Sequence, residues 1–145
     1  MAATHTSNID DSVNHFPRPA ALPYLAVRGA ADAIAWYCDV YGAEHVKEPY
    51  VMDDGSIGHA ELDFGGTTLY LADEFADFGL LGPTADHHSV SLMLPVTDTD
   101  ATLERARHAG ARIEREPYNA YGGRNASLID PFGHRWMLYQ PLPGA

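Results

Sequence analysis

The chain lacks the marks of several large protein classes, and each absence excludes something. A single cysteine, Cys38, stands among 145 residues. No internal disulfide can staple the fold, and a reducing, cytoplasmic setting is expected. Positive charge is scarce: 9 Lys and Arg face 20 Asp and Glu, a formal net charge of −11. That field repels a polyanionic backbone, which argues against nucleic acid as a partner, and it attracts cationic small molecules. No apolar run reaches the ~20 residues of a membrane-spanning helix, so no membrane association is expected. Residues 1–11 are polar and acidic, without the basic start and apolar stretch of a secretory signal. There is no dinucleotide-type glycine loop and no serine elbow. Gly65-Gly66 is followed by β-formers, not by a helix, so it reads as a hairpin turn and not as a phosphate cradle. Cys38 has no base near it in sequence and does not read as a nucleophile.

What is present is ordinary globular material, 46% apolar and 20% charged, of a length that fits one domain with its own core. Residues 1–20 show no periodicity and read as a mobile N-terminal arm, with a single domain over 21–145. Residues 21–27 read as a strand. Residues 30–41 read as a helix, because Ile34, Tyr37, Cys38 and Tyr41 recur on one helical face and Gly42 follows as a left-handed cap. Residues 44–51 read as a strand ended by the turn Asp53-Asp54-Gly55. Residues 58–64 alternate strictly, with His59, Glu61 and Asp63 on one face and Ala60, Leu62 and Phe64 on the other. Residues 67–72 are the return strand. After a linker over 73–86, strands are expected at 89–96, 111–116, 124–129 and 134–140. A helix capped by Asp98 or Thr99 runs to about Ala109, with Gly110 as its stop. Residues 118–123 read as an aromatic, glycine-rich loop.

The halves repeat each other. Leu25-Ala26-Val27 matches Leu94-Pro95-Val96, Gly42-Ala43 matches Gly110-Ala111, and Ala60-Glu61-Leu62 matches Ala126-Ser127-Leu128. The Gly65 turn matches the Gly133 turn, and the offset stays near ~68 residues throughout, the mark of a duplicated unit. The expected fold class is α+β, with two tandem βαβββ modules over residues 21–74 and 87–140.

Several motifs carry a resemblance. Pro23-Tyr24-Leu25-Ala26-Val27, Ala35-Trp36-Tyr37, Tyr41-Gly42-Ala43-Glu44, Gly58-His59-Ala60-Glu61-Leu62, Leu71-Ala72-Asp73-Glu74 and the closing Asp130-Pro131-Phe132-Gly133-His134-Arg135-Trp136 resemble the vicinal-oxygen-chelate (VOC) superfamily, in its glyoxalase/bleomycin-resistance branch. The resemblance implies curved mixed sheets around a cleft, with helices outside, and assembly as a homodimer. It does not settle activity, since such proteins include metal-dependent lyases and dioxygenases as well as metal-free binders. It also implies four cleft positions, one per strand, where metal-using members carry His, Gln or Glu. By register those positions hold Leu22, Tyr70, Ser91 and Met137. None is a normal ligand for a divalent ion, so no metal and no cofactor are expected. An alternative site would need His59 and Glu61 to meet His87 or His88, and nothing in the spacing makes them converge.

If those four positions face the cleft, so do Tyr24, Thr68, Ser89, Met93, Arg135 and Tyr139, while Leu25, Val27, Leu69, Leu71, Leu92, Leu94, Trp136 and Leu138 pack under the helices. The candidate ligand-binding residues are Tyr24, His59, Glu61, Tyr70, Ser91, Met93, Tyr121, Arg124 and Met137. Aromatic and thioether surfaces with a few polar groups suit a small-molecule pocket. Arg124 is a candidate partner for Glu61 or for a ligand carboxylate. The leading expectation is a metal-independent protein that binds a small organic molecule, aromatic or cationic. One alternative is an enzyme using His59 and Glu61 as a catalytic acid/base pair, which requires the two to touch inside a pocket. Another is a metal-dependent lyase or dioxygenase with a non-standard site. A last one is a structural or regulatory dimer with a filled cleft.

Overall fold

A computed structural model of the protein describes residues 21–84 and 87–144; the arm expected over 1–20 lies outside the described residues. The chain runs β1 (Tyr24–Val27), α1 (Ala30–Tyr41), β2 (Glu44–His45), β3 (Tyr50–Val51), β4 (Ile57–Asp63), β5 (Thr68–Asp73), β6 (Leu92–Pro95), α2 (Thr99–His108), β7 (Arg112–Ala120), β8 (Gly123–Ile129) and β9 (Arg135–Pro141). The first half makes a sheet of order β1-β5-β4-β2, with β3 also paired to β4; the second makes β6-β9-β8-β7. In each half the first strand runs parallel to the last and the remaining pairs are antiparallel. This is the mixed α+β plan that the repeat implied. The registers also correspond: Tyr24 sits opposite Tyr70 in one sheet, and Met93 opposite Met137 in the other.

Helix α1 has the bounds its periodicity gave. Its start is capped from a distance: Asp73, at the end of β5, accepts from the backbone N–H groups of Gly29 (3.1 Å) and Ala30 (2.8 Å) through Oδ1, and from Ile57 (2.7 Å) through Oδ2. The first two are orphan donors that would otherwise have no partner at the helix entry. Gly42, at φ 73°, closes the other end with its N–H on Cys38 O. Helix α2 is capped by Asp98, whose side chain accepts from Ala101 N at 3.0 Å.

Three expected segments differ. Residues 44–51 form two separate two-residue strands, because Pro49 offers no N–H and the chain breaks away over 46–49. The strand expected at 89–96 is shortened to β6, leaving Ser89 and Ser91 outside it. The expected loop at 118–123 is largely strand: β7 runs to Ala120, and a two-residue turn, Tyr121 (φ 54°) and Gly122 (φ 74°), reverses the chain. Positive φ at both turn positions matches the right-handed twist of a hairpin. Gly123 does not loosen this loop. Tyr139 lies directly against it, and a Cβ there would sit 2.7 Å from the ring's Cζ.

The sheet faces toward the helices are closed. Val27, Leu62, Leu71, Leu103, Leu128 and Leu138 are fully buried and join one apolar cluster drawn from both halves. Each such side chain contributes about 1.5–3 kcal/mol by leaving water. Where the halves meet, Trp36, Tyr37, Tyr41, Phe64, Phe132 and Trp136 pack ring against ring, with Tyr41 and Trp136 centroids 4.7 Å apart. Asp130 is buried beneath them. Its Oδ1 accepts from Phe132 N (2.9 Å) and His134 N (3.0 Å), and its Oδ2 from Tyr37 Oη (2.5 Å) and Trp136 Nε1 (2.8 Å). The closing Asp-Pro-Phe-Gly motif is therefore a structural joint. Burial and the adjacent Asp130 charge push the Tyr37 hydroxyl well above the ordinary tyrosine range.

Candidate functional site

Strict alternation along β4 sends Ala60 and Leu62 into the core and His59 and Glu61 to the face away from the helix. Cross-strand register then places Tyr70 of β5 beside Glu61, and Tyr24 of β1 beside Tyr70. The side chains meet. Glu61 Oε2 lies 2.8 Å from His59 Nε2, and His59 Nδ1 lies 2.7 Å from Tyr24 Oη. The three rings gather, Tyr70 edge to face with both Tyr24 and His59, with His59 and Tyr70 centroids 4.9 Å apart. Glu61 is only 2% exposed while His59 is 28% and Tyr24 is 42% exposed. The chain of contacts thus runs from a buried carboxylate outward to an accessible hydroxyl. As a carboxylate, Glu61 only accepts, so Nε2 carries the imidazole proton and donates to it. In the neutral imidazole Nδ1 then accepts from the Tyr24 hydroxyl. Burial first, then the Glu61 charge, raises the Tyr24 and Tyr70 hydroxyls above their ordinary range, which keeps both as donors at neutral pH.

Lys47 completes the group. Its Nζ is 3.5 Å from Glu61 Oε2, and it reaches there from the broken segment between β2 and β3. Sequence reasoning missed it, because a lysine inside an uninterrupted strand at 44–51 carries no signal of this contact.

The other expected residues go elsewhere. Arg124 does not approach Glu61: its guanidinium is forked on Asp100 of α2 at 2.8 and 2.9 Å and also touches Asn119, on the helix side of its sheet. The pairing expected from sequence fails because Arg124 alternates with Asn125, so it points to the helix. Tyr121 is 87% exposed at its turn, away from the His59–Glu61 group. Met93 and Met137 lie on the second sheet and Ser91 just before it, where Ser91 accepts from Arg135 (2.7 Å) and Arg135 is also paired with Glu114 (2.6 Å). Met93 and Met137 occupy the register positions that Tyr24 and Tyr70 hold in the first sheet. Ser127, opposite Met137, stands where Glu61 stands opposite Tyr70. At these matched positions the duplication has left a carboxylate and two phenols in one sheet, and a hydroxyl and two thioethers in the other.

As a donor set for a divalent ion, Tyr70, Ser91 and Met137 do not fit: a phenol held protonated, a hydroxyl and a thioether supply no normal oxygen or nitrogen ligand. His88 is engaged at 2.7 Å with the Gly133 carbonyl. Among the described residues no three His, Cys, Asp or Glu side chains are grouped to hold a metal, and no helix is long and apolar enough to cross a membrane.

Paired βαβββ halves with an aromatic, partly polar outer face define the class as a two-module α+β protein of the VOC type. Residues 12–138 match the profile of the Glyoxalase/Bleomycin resistance protein/Dioxygenase superfamily, and the chain belongs to that superfamily. It is 35% identical over 129 residues to Rv0887c of Mycobacterium tuberculosis, covering 86% of this chain and 75% of that one. It is 39% identical over 68 residues to the anthracycline biosynthesis protein DnrV of Streptomyces peucetius, covering 47% of this chain and 24% of that one. In fold it is similar to TioX of Micromonospora sp. ML1, with a TM-score of 0.65, 23% identity and coverage of 88% and 99% of the two chains.

Proposed function

We propose that the outer face of the first sheet binds a small organic molecule without a metal, using Tyr24, His59 and Glu61 as its polar anchor. One observation carries this reading: a buried carboxylate orients an imidazole whose far nitrogen holds an accessible hydroxyl, within a group of three rings. Such an arrangement offers a ligand hydroxyl or carbonyl a fixed donor and acceptor, with flat apolar surface beside it. The misfit of Tyr70, Ser91 and Met137 to a divalent ion supports the metal-free part. The partial likeness to a protein named for anthracycline biosynthesis supports a flat aromatic ligand, anthracyclines being fused-ring aromatic molecules. The test is calorimetric titration with a hydroxyanthraquinone after exhaustive chelation. Saturable binding is expected, weakened about tenfold in Tyr24→Phe, as the loss of one hydrogen bond of ~1.4 kcal/mol implies. Binding that requires added metal, or that is indifferent to Tyr24 and His59, would sink the reading.

The same contacts favour one second reading, acid–base catalysis. A histidine set between a carboxylate and a hydroxyl is arranged to move a proton to or from a bound substrate. Metal-free exchange of α-protons of an aryl ketone with deuterated water, abolished in Glu61→Gln, is the expected result; equal exchange in both proteins would remove it.

A further inference from the structure

The polar anchor opens sideways into a recess of about 280 Å³ lined by Tyr24, Tyr50, Met52, Gly58, Phe75, Phe78 and Leu80. Tyr24 belongs to both: its ring walls the recess while its hydroxyl is held by His59. Apart from the phenols, nothing in that lining ionises. The remaining walls are aromatic, thioether and aliphatic, and several are poorly covered. Tyr50 is 65% exposed, Phe78 87% and Met52 37%. Large apolar side chains kept wet around one hollow mark a binding surface.

The rim is built to hold its shape. Phe75 and Leu80 exchange two backbone hydrogen bonds, of 2.8 and 3.1 Å, across a single 3-10 turn (Ala76–Phe78). Gly79, at φ 72°, lets that turn close on itself. On the facing side Met52 and Tyr50 lie against Gly58, where a Cβ would stand 2.8 Å from Met52 Sδ and 3.0 Å from Tyr50 Cδ1. The floor therefore exists in this form because position 58 carries no side chain. An apolar cavity of roughly 150 Å³ is enough for benzene, so this hollow has room for two fused rings.

We infer that this recess is a second subsite, which takes the neutral, fused-ring end of a ligand whose polar group is held at Tyr24 and His59. The inference rests on the anchor reading above and adds to it a ligand shape, a direction of entry and a specificity wall made by Met52, Phe78 and Leu80. Ring count is then read by the recess, and the hydroxyl by the anchor.

Two probes separate these parts: phenol, which has the hydroxyl and one ring, and 2-naphthol, which has the hydroxyl and two. Affinities are read from chemical-shift titrations of the full-length protein. For the wild type, 2-naphthol should bind at least tenfold more tightly than phenol. Phe78→Ala, at a site exposed enough that folding is not at stake, and Met52→Ala as an independent variant, should each erase several-fold of that advantage while phenol binding stays within twofold. Tyr24→Phe should weaken both probes together. If phenol and 2-naphthol bind equally, or if the two recess variants weaken both probes alike or neither, the second subsite is overturned while the anchor stands. If neither probe binds the wild type, the anchor reading falls and the subsite with it. If Phe78→Ala changes the association state in sedimentation and leaves 2-naphthol binding untouched, the surface belongs to a second copy of the chain, and the inference is wrong.

Discussion

Replacing Asp130 by asparagine changes one buried atom and almost no volume, which makes it a clean probe of the joint between the halves. The carboxylate has four donors: two backbone N–H groups on Oδ1, and the Tyr37 hydroxyl and Trp136 indole on Oδ2. In the Asp130→Asn variant the amide carbonyl oxygen keeps the two backbone bonds. The new amide N–H₂ then faces Tyr37, which can turn its hydroxyl and accept, and Trp136, which can only donate. One indole N–H is left buried without a partner, a cost of about 1–3 kcal/mol, and the surviving bonds lose their charge assistance, worth about 1 kcal/mol more. The expected loss is ~2–4 kcal/mol, offset in part because a neutral amide is cheaper to bury than a carboxylate. Urea denaturation should show a lower midpoint with an unchanged slope, and the melting temperature should drop by roughly 6–12 °C. Trp136→Phe in the Asp130→Asn background removes the stranded donor, so the double variant should be less destabilised than the sum of the singles. A loss under about 1 kcal/mol, or strictly additive singles, would show that desolvating the carboxylate cancels its four donors and that the joint is held by ring packing alone.

Three further outcomes are expected. Asp73→Ala strips three backbone N–H groups of their acceptor at the start of α1 and β4, and should cost about 1–3 kcal/mol in the same denaturation assay. Glu61→Gln removes a charge that helps hold the Tyr24 and Tyr70 hydroxyls above the ordinary range, so phenolate absorbance should rise at lower pH than in the wild type; an unmoved titration would mean that burial alone sets both. The Tyr37 and Tyr41 hydroxyls are pushed well above 10.0 in the folded chain, chiefly by burial. Their contribution to stability should therefore be constant below that pH and be lost above it, where the unfolded chain releases tyrosine protons that the folded chain retains. Tyr37→Phe should flatten part of the fall in alkaline denaturation curves.

The sequence exposed the periodic parts of this molecule and hid the parts that depend on two distant segments meeting. Helix α1 was readable to the residue because its apolar face recurs at helical spacing and Gly42 has the conformation that stops it. Alternation along β4 put His59 and Glu61 on one face, and their contact follows from a two-residue separation on a strand. The Lys47 contact with Glu61 did not follow, since Lys47 arrives from a break at 46–49 that looked like uninterrupted strand. Arg124 was misplaced for a related reason. Its partner Asp100 is 24 positions away on α2, and sequence spacing gives no way to prefer it over Glu61. Tyr121 has the composition of a ligand platform, but its φ of 54° places it at the crest of a hairpin. The roles of Asp73 and Asp130 as backbone acceptors were invisible for the same cause: each serves donors whose nearness only the folded chain creates.

The joint at Asp130 is one of several ties between the halves. Trp36 Nε1 donates to Ala109 O at 2.9 Å, Arg105 Nε to Val40 O at 3.1 Å, and His134 Nε2 bonds Ala26 O at 2.9 Å. With these bonds spread along the seam, swinging the repeats apart as two jaws would break these ties along with the buried Asp130 contacts. If the outer face of the first sheet binds a ligand as proposed, entry to it does not require this seam to open. Under that proposal, capture and release would be limited by diffusion and by contacts at the rim, which stopped-flow binding rates would test.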